Sequence, residues 1–409
     1  MRISTATMFE TGTSQLGTLQ SNMAKTQMQL STNRRILAPS DDPVASARAL
    51  EVTQSQSVNT QFATNRQNAR SSLSQVELAL ASTTTLLQDI KTLTVSAGNG
   101  TLLPADRQAL VIELTGRMND LMGVANSGDG VGGYLFSGYR SSTMPFTQTA
   151  TGAQYHGDQG QTKLQVGSSR HIAISDSGSA IFENNPTGNG TFQTAAAATN
   201  TGTGIVSSGS ISNANALTGH DYTVAFQLTG TPPVRTYTVT DNTTGMAVPP
   251  PPAAPAMPYE SGRQIAFDGM VFDISGAPAN GDTFTVKPSE KQSIFTTLTN
   301  LIDTLKLPAG GAGQAALTNG LNTAHDNLDA ALENVLAVRA GVGSALKELD
   351  YLDGAGEDRN IQYSATLSDL QDLDLVKTIS LFTQQQMTLE ASQKSFKTLS
   401  GLSLFNYIG

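Results

Sequence analysis

The chain has 409 residues, no Cys, no Trp, 38 Gly, 14% charged residues and a net charge of −9. This length accommodates two or three domains. The missing thiols exclude disulfides, thiolate metal sites and cysteine nucleophiles, and the acidic balance speaks against nucleic acid or an anionic membrane as partner.

No run approaches the ~18 apolar residues of a membrane span. Arg2, Ser4, Thr5, Thr7 and Glu10 stand where a secretory signal needs an apolar core, so composition alone predicts a cytoplasmic protein. Residues 1–38 read as an amphipathic helix ending in the basic pair Arg34 and Arg35. Phe9, Leu16, Met23, Leu30 and Leu37 recur every seven residues, with Leu19 alongside. Seven residues are nearly two helical turns, so these side chains form one narrow seam. Pro39 breaks this helix and Ser40-Asp41-Asp42-Pro43 restarts another. Ser40 or Asp41 is the expected cap, Pro43 fits the first turn, and the acidic pair suits the positive end of the helix dipole. Asp41 and Asp42 lack the accompanying His or Glu that a metal or acid–base site would bring.

From Val44 to Ala97 there is neither Pro nor Gly, which predicts a single helix of about 80 Å at ~1.5 Å per residue. Phe62, Ala69, Val76, Thr83 and Ile90 step by seven, and Leu73, Leu80 and Leu87 form a second rail. Gly98-Asn99-Gly100 ends it, and a further helix is predicted from Pro104 to Ala125. After Gly128 the texture becomes β-like, with short runs at Lys163–Val166, Ile172–Ile174, Tyr222–Leu228, Arg235–Thr240, Gln264–Ile274 and Thr283–Val286 between turn signals. Thr187–Ser212 is rich in Gly, Ala, Thr, Ser and Asn, and Val248–Pro258 holds six prolines in eleven residues. Both are expected to be loose.

Helical texture returns with Ile294, Leu298, Leu301, Ile302 and Leu305. It continues with Leu321, Leu328, Val335, Val342 and Leu349, where small Ala residues on the companion register permit close helix approach. Gly354-Ala355-Gly356 is expected to interrupt, and a final helix over residues 360–409 to follow. Ile361, Leu375, Phe382, Leu389 and Phe396 lie on its seven-residue comb. Seams this narrow and this polar at both ends of a chain cannot be satisfied within one helix, and each needs partner helices.

The expected fold is therefore α+β and multidomain: a long coiled-coil-like helical bundle built from both termini, with an inserted all-β outer domain. The expected divisions are 1–38 with 360–409, 39–144 with 288–359, and 145–287. The assembly residues expected at the ends are Phe9, Leu16, Met23, Leu30, Leu375, Phe382, Leu389 and Phe396, and Asp41, Asp42 and Pro43 form the helix-start motif. Catalytic and cofactor signals are missing: there is no H-E-x-x-H, no P-loop and no G-x-S-x-G. His156, His171, His220 and His325 are scattered without metal-ligand spacing. The sequence thus predicts no enzyme, no cofactor and no metal.

Several strings carry a resemblance. Met1-Arg2-Ile3-Ser4-Thr5 with Met8-Phe9, and Asn33-Arg34-Arg35-Ile36 leading into Pro39-Ser40-Asp41-Asp42-Pro43, are similar to the bacterial flagellin superfamily. Gly133-Tyr134-Leu135-Phe136-Ser137-Gly138 with Pro145-Phe146 is similar to its hook–filament junction members. So are Tyr155-His156-Gly157-Asp158, Phe267-Asp268-Gly269, Gly281-Asp282-Thr283-Phe284 and the ending Leu402-Ser403-Leu404-Phe405-Asn406-Tyr407-Ile408. The resemblance covers about 1–145 and 288–409 well and the middle more loosely.

It implies a structural axial protein whose terminal helices line an inner tube, and whose partners are further copies of itself, the first hook-associated protein, flagellin and a cytoplasmic export chaperone. It also implies export without a cleaved signal peptide, which replaces the cytoplasmic expectation with an extracellular one. A filament subunit and a β-domain adhesin on a helical stalk are the alternative readings.

Overall fold

The protein is described here by a computed structural model covering residues 5–249, 256–308 and 310–401. The strings at residues 1–4 and 402–409, and residues 250–255 of the proline-rich stretch, lie outside the described residues. Six α-helices are present among the described residues: α1 (Thr5–Thr32), α2 (Pro43–Ala97), α3 (Pro104–Ala125), α4 (Ile294–Leu305), α5 (Gly311–Gln371) and α6 (Leu375–Gly401). The β-strands all fall between α3 and α4. The chain forms two compact units, residues 1–64 with 351–409, and residues 65–350.

In the larger unit, α2 and α5 bury the seams read from the sequence. Ala69, Leu73, Val76, Leu80, Leu87 and Ile90 are buried on α2, and Leu321, Leu328, Val335, Val342 and Leu349 on α5. The two run antiparallel, with charged pairs flanking the apolar stripe: Arg70 with Asp350 at 2.5 Å, Glu77 with Arg339 at 2.6 Å, and Lys91 with Asp329. A five-strand antiparallel path runs Met246–Val248, Val234–Asp241, Tyr222–Thr229, Thr283–Pro288, Phe192–Ala196, with Met257–Pro258 also paired to Val234–Asp241. Its core follows the period-two rule of strands: Tyr222, Val224 and Phe226 are buried, as are Phe284 and Val286 on the neighbouring strand.

Four expectations are corrected. The first helix ends at Thr32 rather than near residue 38. Asn33 adopts a left-handed φ of 53°, and the Arg34 N–H donates to the Gln29 carbonyl at 3.2 Å, the closing bond of a Schellman end that stops the helix well before Pro39. Second, Gly354-Ala355-Gly356 does not interrupt: it lies within α5, a single helix of 61 residues from Gly311 to Gln371. A helical Gly costs only about 1 kcal/mol relative to Ala, and Gly356 is buried where the Asn59 side chain reaches its carbonyl at 2.8 Å. Ile361 consequently sits on α5, largely exposed. Third, Thr187–Ser212 is not loose throughout, since Phe192–Ala196 is an edge strand of the main sheet. Its Ala-rich sequence has little β-propensity, and the strand is held by pairing and by Phe192 in the core. Fourth, Gln264–Ile274 is a hairpin rather than one strand, turning at Asp268 (φ 44°) and Gly269 (φ 78°), as a two-residue primed turn requires.

Candidate assembly site on the terminal helices

The first and last described helices pair within the smaller unit. The Phe9 and Phe396 rings lie 5.0 Å apart, tilted by 45°, and at the other end Arg34 forms an antiparallel bridge with Asp372. These two fixed points make α1 and α6 antiparallel. Stepping seven residues forward from Phe9 and seven back from Phe396 sets Leu16 at the level of Leu389, Met23 at the level of Phe382, and Leu30 at the level of Leu375. Four more steps arrive within one residue of the Arg34–Asp372 bridge. Of the eight residues expected from the sequence, Phe9 and Phe396 are brought into ring contact.

Small residues let the helices approach. A Cβ at Gly12 would stand 2.8 Å from the Phe396 ring. Thr26 and Thr378 are buried, and each satisfies its hydroxyl on the carbonyl four residues back, Asn22 at 3.0 Å and Asp374 at 2.7 Å. Among the predicted seam residues only Leu389 is buried, at 8% exposure. Leu16, Met23, Leu30, Phe382 and Phe396 are half-buried. Phe9 keeps 55% of its surface and Leu375 46%. Met8, Met28, Val376, Ile379, Leu381 and Met387 are also exposed. Burying one such side chain is worth about 1.5–3 kcal/mol.

Where α1 ends, the chain folds against the end of α5. The Arg35 N–H donates to the Gln371 carbonyl at 2.8 Å and its guanidinium donates to the Leu370 carbonyl at 2.8 Å. These carbonyls belong to the last turn of α5, which has no intrahelical donors for them, and a cation there also suits the negative helix end. The same guanidinium meets Asp42 at 3.2 Å. Asp42, not Ser40 or Asp41, caps α2: its Oδ1 accepts from the Ala45 N–H at 3.0 Å, with Pro43 at the first helical position. Asp41 instead accepts from Lys25 on α1 at 2.7 Å and from the Leu37 and Ala38 N–H groups at 3.1 Å. Lys25 and those two N–H groups hold Asp41 below the usual carboxylate range. The Ala45 N–H and then Arg35 do the same for Asp42. Asp374 caps α6 by accepting from the Lys377 N–H at 3.0 Å.

From the sequence, Arg34 and Arg35 read as a basic helix end and as part of the string leading into the Asp41-Asp42-Pro43 helix start. The signal for their role was the pair of acids six residues later, which invites a cation, but nothing in the sequence points to the α5 carbonyls. Among the described residues no group of three or more His, Asp or Glu is placed to hold a metal ion. His156 bonds Thr147 at 2.7 Å and His220 bonds Asp241 at 2.7 Å, which are local side-chain contacts.

The glycine–aromatic string has a packing explanation in the larger unit. The Asp158 side chain accepts from the Tyr139 and Gly160 N–H groups, each at 2.8 Å. The single Tyr155 O–H is shared between the Phe136 and Asp158 carbonyls, which lie 2.9 and 2.8 Å from it, and burial pushes this phenol up to about 12.

A family model described as the bacterial flagellin N-terminal helical region matches residues 3–141, and one described as the D2-like domain of flagellar hook-associated protein 1 matches residues 195–288. Flagellar hook-associated protein 3 of Salmonella typhimurium is 31% identical over 407 residues, 99% of either chain. The protein of the same name from Escherichia coli is 28% identical over the same length. Among solved structures, flagellar hook associated protein-3 from Legionella pneumophila is similar with a TM-score of 0.74 and 33% identity, covering 78% of this chain and 98% of that one. Xanthomonas campestris FlgL is similar with a TM-score of 0.70 and 30% identity, covering 78% of this chain and 99% of that one. At 31% identity over 99% of both chains, with a fold similar to the solved hook-associated protein 3 structures, the chain belongs to the flagellar hook-associated protein 3 family.

Proposed function

We propose that this chain is a structural axial subunit of the bacterial flagellum that joins the hook, through hook-associated protein 1, to the flagellin filament. It does so by helical-bundle self-assembly and performs no catalytic step. The observation that carries this reading is the antiparallel α1–α6 pair, whose heptad seam leaves Phe9, Leu375 and Ile379 exposed. A surface of this kind is what further copies would cover. In the assembled junction the terminal pair lines the inner tube, the long helices form the next shell and the β insertion faces outward. The match of residues 195–288 to a module of hook-associated protein 1 supports neighbours built from related parts.

The working location is outside the cell, reached by flagellar export without a cleaved signal peptide. A cytoplasmic chaperone masks the C-terminal seam beforehand.

The test is electron microscopy of flagella from a strain whose own copy is replaced by one lacking both terminal seams. The expected result is intact hooks without filaments, flagellin in the medium, and a shortened protein that remains folded. Filaments attached at the normal frequency would sink the inner-tube assignment.

A further inference from the structure

We propose that Arg35 is the positioning residue of the terminal pair: by bridging the end of α5 and the start of α2, it fixes the direction in which α6 leaves α5. This rests on the reading of α1–α6 as the assembly element and adds how that element is aimed.

Three residues, Asp372, Leu373 and Asp374, separate α5 from α6. The φ and ψ of these three residues are still soft enough to allow more than one angle between the helices, and the contacts around the break select among them. Those present come from the opposite end of the chain. Arg35 closes the Leu370 and Gln371 carbonyls of α5, and its guanidinium simultaneously reaches the Asp42 carboxylate that caps α2. Arg35 is itself held: its carbonyl accepts from the Gln29 side chain at 2.6 Å, so the last turn of α1 is part of the same joint. Asp372, just past α5, is bridged to Arg34 and accepts from the Ser368 hydroxyl at 2.5 Å.

The ends of α1, α2 and α5 therefore converge on one guanidinium and its backbone. A planar fork can serve a carbonyl and a carboxylate at once, whereas a Lys ammonium on a flexible stem delivers its donors from a single point.

The natural absence of Cys allows a clean measurement. Spin labels on Cys introduced at the exposed positions Glu357 of α5 and Lys394 of α6 report the angle as a distance distribution in the full-length chain. The parent chain is expected to show one narrow distance. Arg35→Ala is expected to raise the population outside it about fivefold, the size set by a charge-assisted hydrogen bond discounted for partial exposure, with unchanged helix content by circular dichroism. Arg35→Lys, which keeps the charge, is expected to resemble Arg35→Ala rather than the parent. It also serves if the alanine variant does not fold.

In a strain carrying only Arg35→Lys, attached filaments should fall by a similar factor. A distance distribution unchanged in Arg35→Ala overturns the proposal, and so does a Lys variant indistinguishable from the parent. A broadened distribution with filaments attached at the parent frequency overturns the link to assembly while leaving the assembly reading itself intact. That reading stands or falls separately on the terminal-seam deletion.

Discussion

At the scale of single residues, the most exacting positions are glycines and carboxylates that look interchangeable in the sequence. Gly138 has φ +70°, and a Cβ there would stand 2.2 Å from Asp158 Oδ1 and 2.5 Å from the Asp158 carbonyl oxygen. Gly138→Ala should destabilise the larger unit by about 2 kcal/mol or more, because the left-handed strain and a clash with backbone add; thermal unfolding measures this. The acidic pair shows the complementary limit. That Asp41-Asp42-Pro43 starts a helix was legible, because proline and acids suit that end. Which acid caps was not, because both are acceptors and only the backbone geometry puts Asp42 over the Ala45 N–H.

Both carboxyls titrate below their ordinary 3.8 in the folded chain. Their hydrogen-bonded, ionised forms therefore support the joint fully above that value, and the support is lost as the pH falls through the lowered folded values. Protection factors for hydrogen exchange across residues 33–45, corrected for the intrinsic pH dependence of amide exchange, should fall in the parent as the pH drops below the ordinary 3.8. They should be less pH-dependent in an Asp41→Asn, Asp42→Asn double variant.

At the scale of elements, helices were legible wherever an apolar residue returned every seventh position, as in α2, α5 and the α1–α6 seam. The β insertion was legible where β-branched and aromatic residues alternate, as at Tyr222–Thr229, and illegible where pairing overrides propensity, as at Phe192–Ala196. A further device had no sequence signal at all. Along α5, Asn319 accepts from the Val206 N–H and donates to the Gly204 carbonyl, both at 2.9 Å. Asn327 accepts from the Gly188 N–H at 2.8 Å, and Asn334 donates to the Ala180 carbonyl at 3.0 Å. These amides fasten backbone of the β insertion to the helix, and an Asn on a helix is read from sequence as a solvated residue. Asn319→Ala leaves a buried N–H and C=O without partners and should cost about 2–4 kcal/mol, seen as faster exchange of the Ile205–Val206 strand amides. In the terminal pair, Leu389→Ala should cost about 2 kcal/mol and accelerate exchange in α1 as well as α6, since the partner helix loses the same contact.

At the scale of the whole molecule, the two units are unequally provisioned. In residues 1–64 with 351–409 the buried apolar residues are Ala45, Ala49 and Leu389 among those described, whereas the larger unit buries clusters such as Phe136, Phe146, Phe182 and Phe295. Unfolding should therefore proceed in two steps, with the terminal unit lost at lower urea and with a smaller dependence on denaturant, in keeping with the smaller area it exposes. Far-UV circular dichroism compared with the near-UV signal of the buried aromatics separates the steps. Assembly, by covering the exposed seam, should raise the first step toward the second.

The Phe9–Phe396 contact joins residues separated by nearly the entire polypeptide. Loop closure over such a span comes late in folding, because its entropy is repaid only after the intervening contacts exist. A copy that stops before Phe396, or that is clipped in between and loses its tail, leaves α1 without its match. Under the assembly role proposed above, the seam doubles as a length inspector: a copy lacking either helix would present no complete docking edge, and the expected outcome is that truncated copies are left out of the junction.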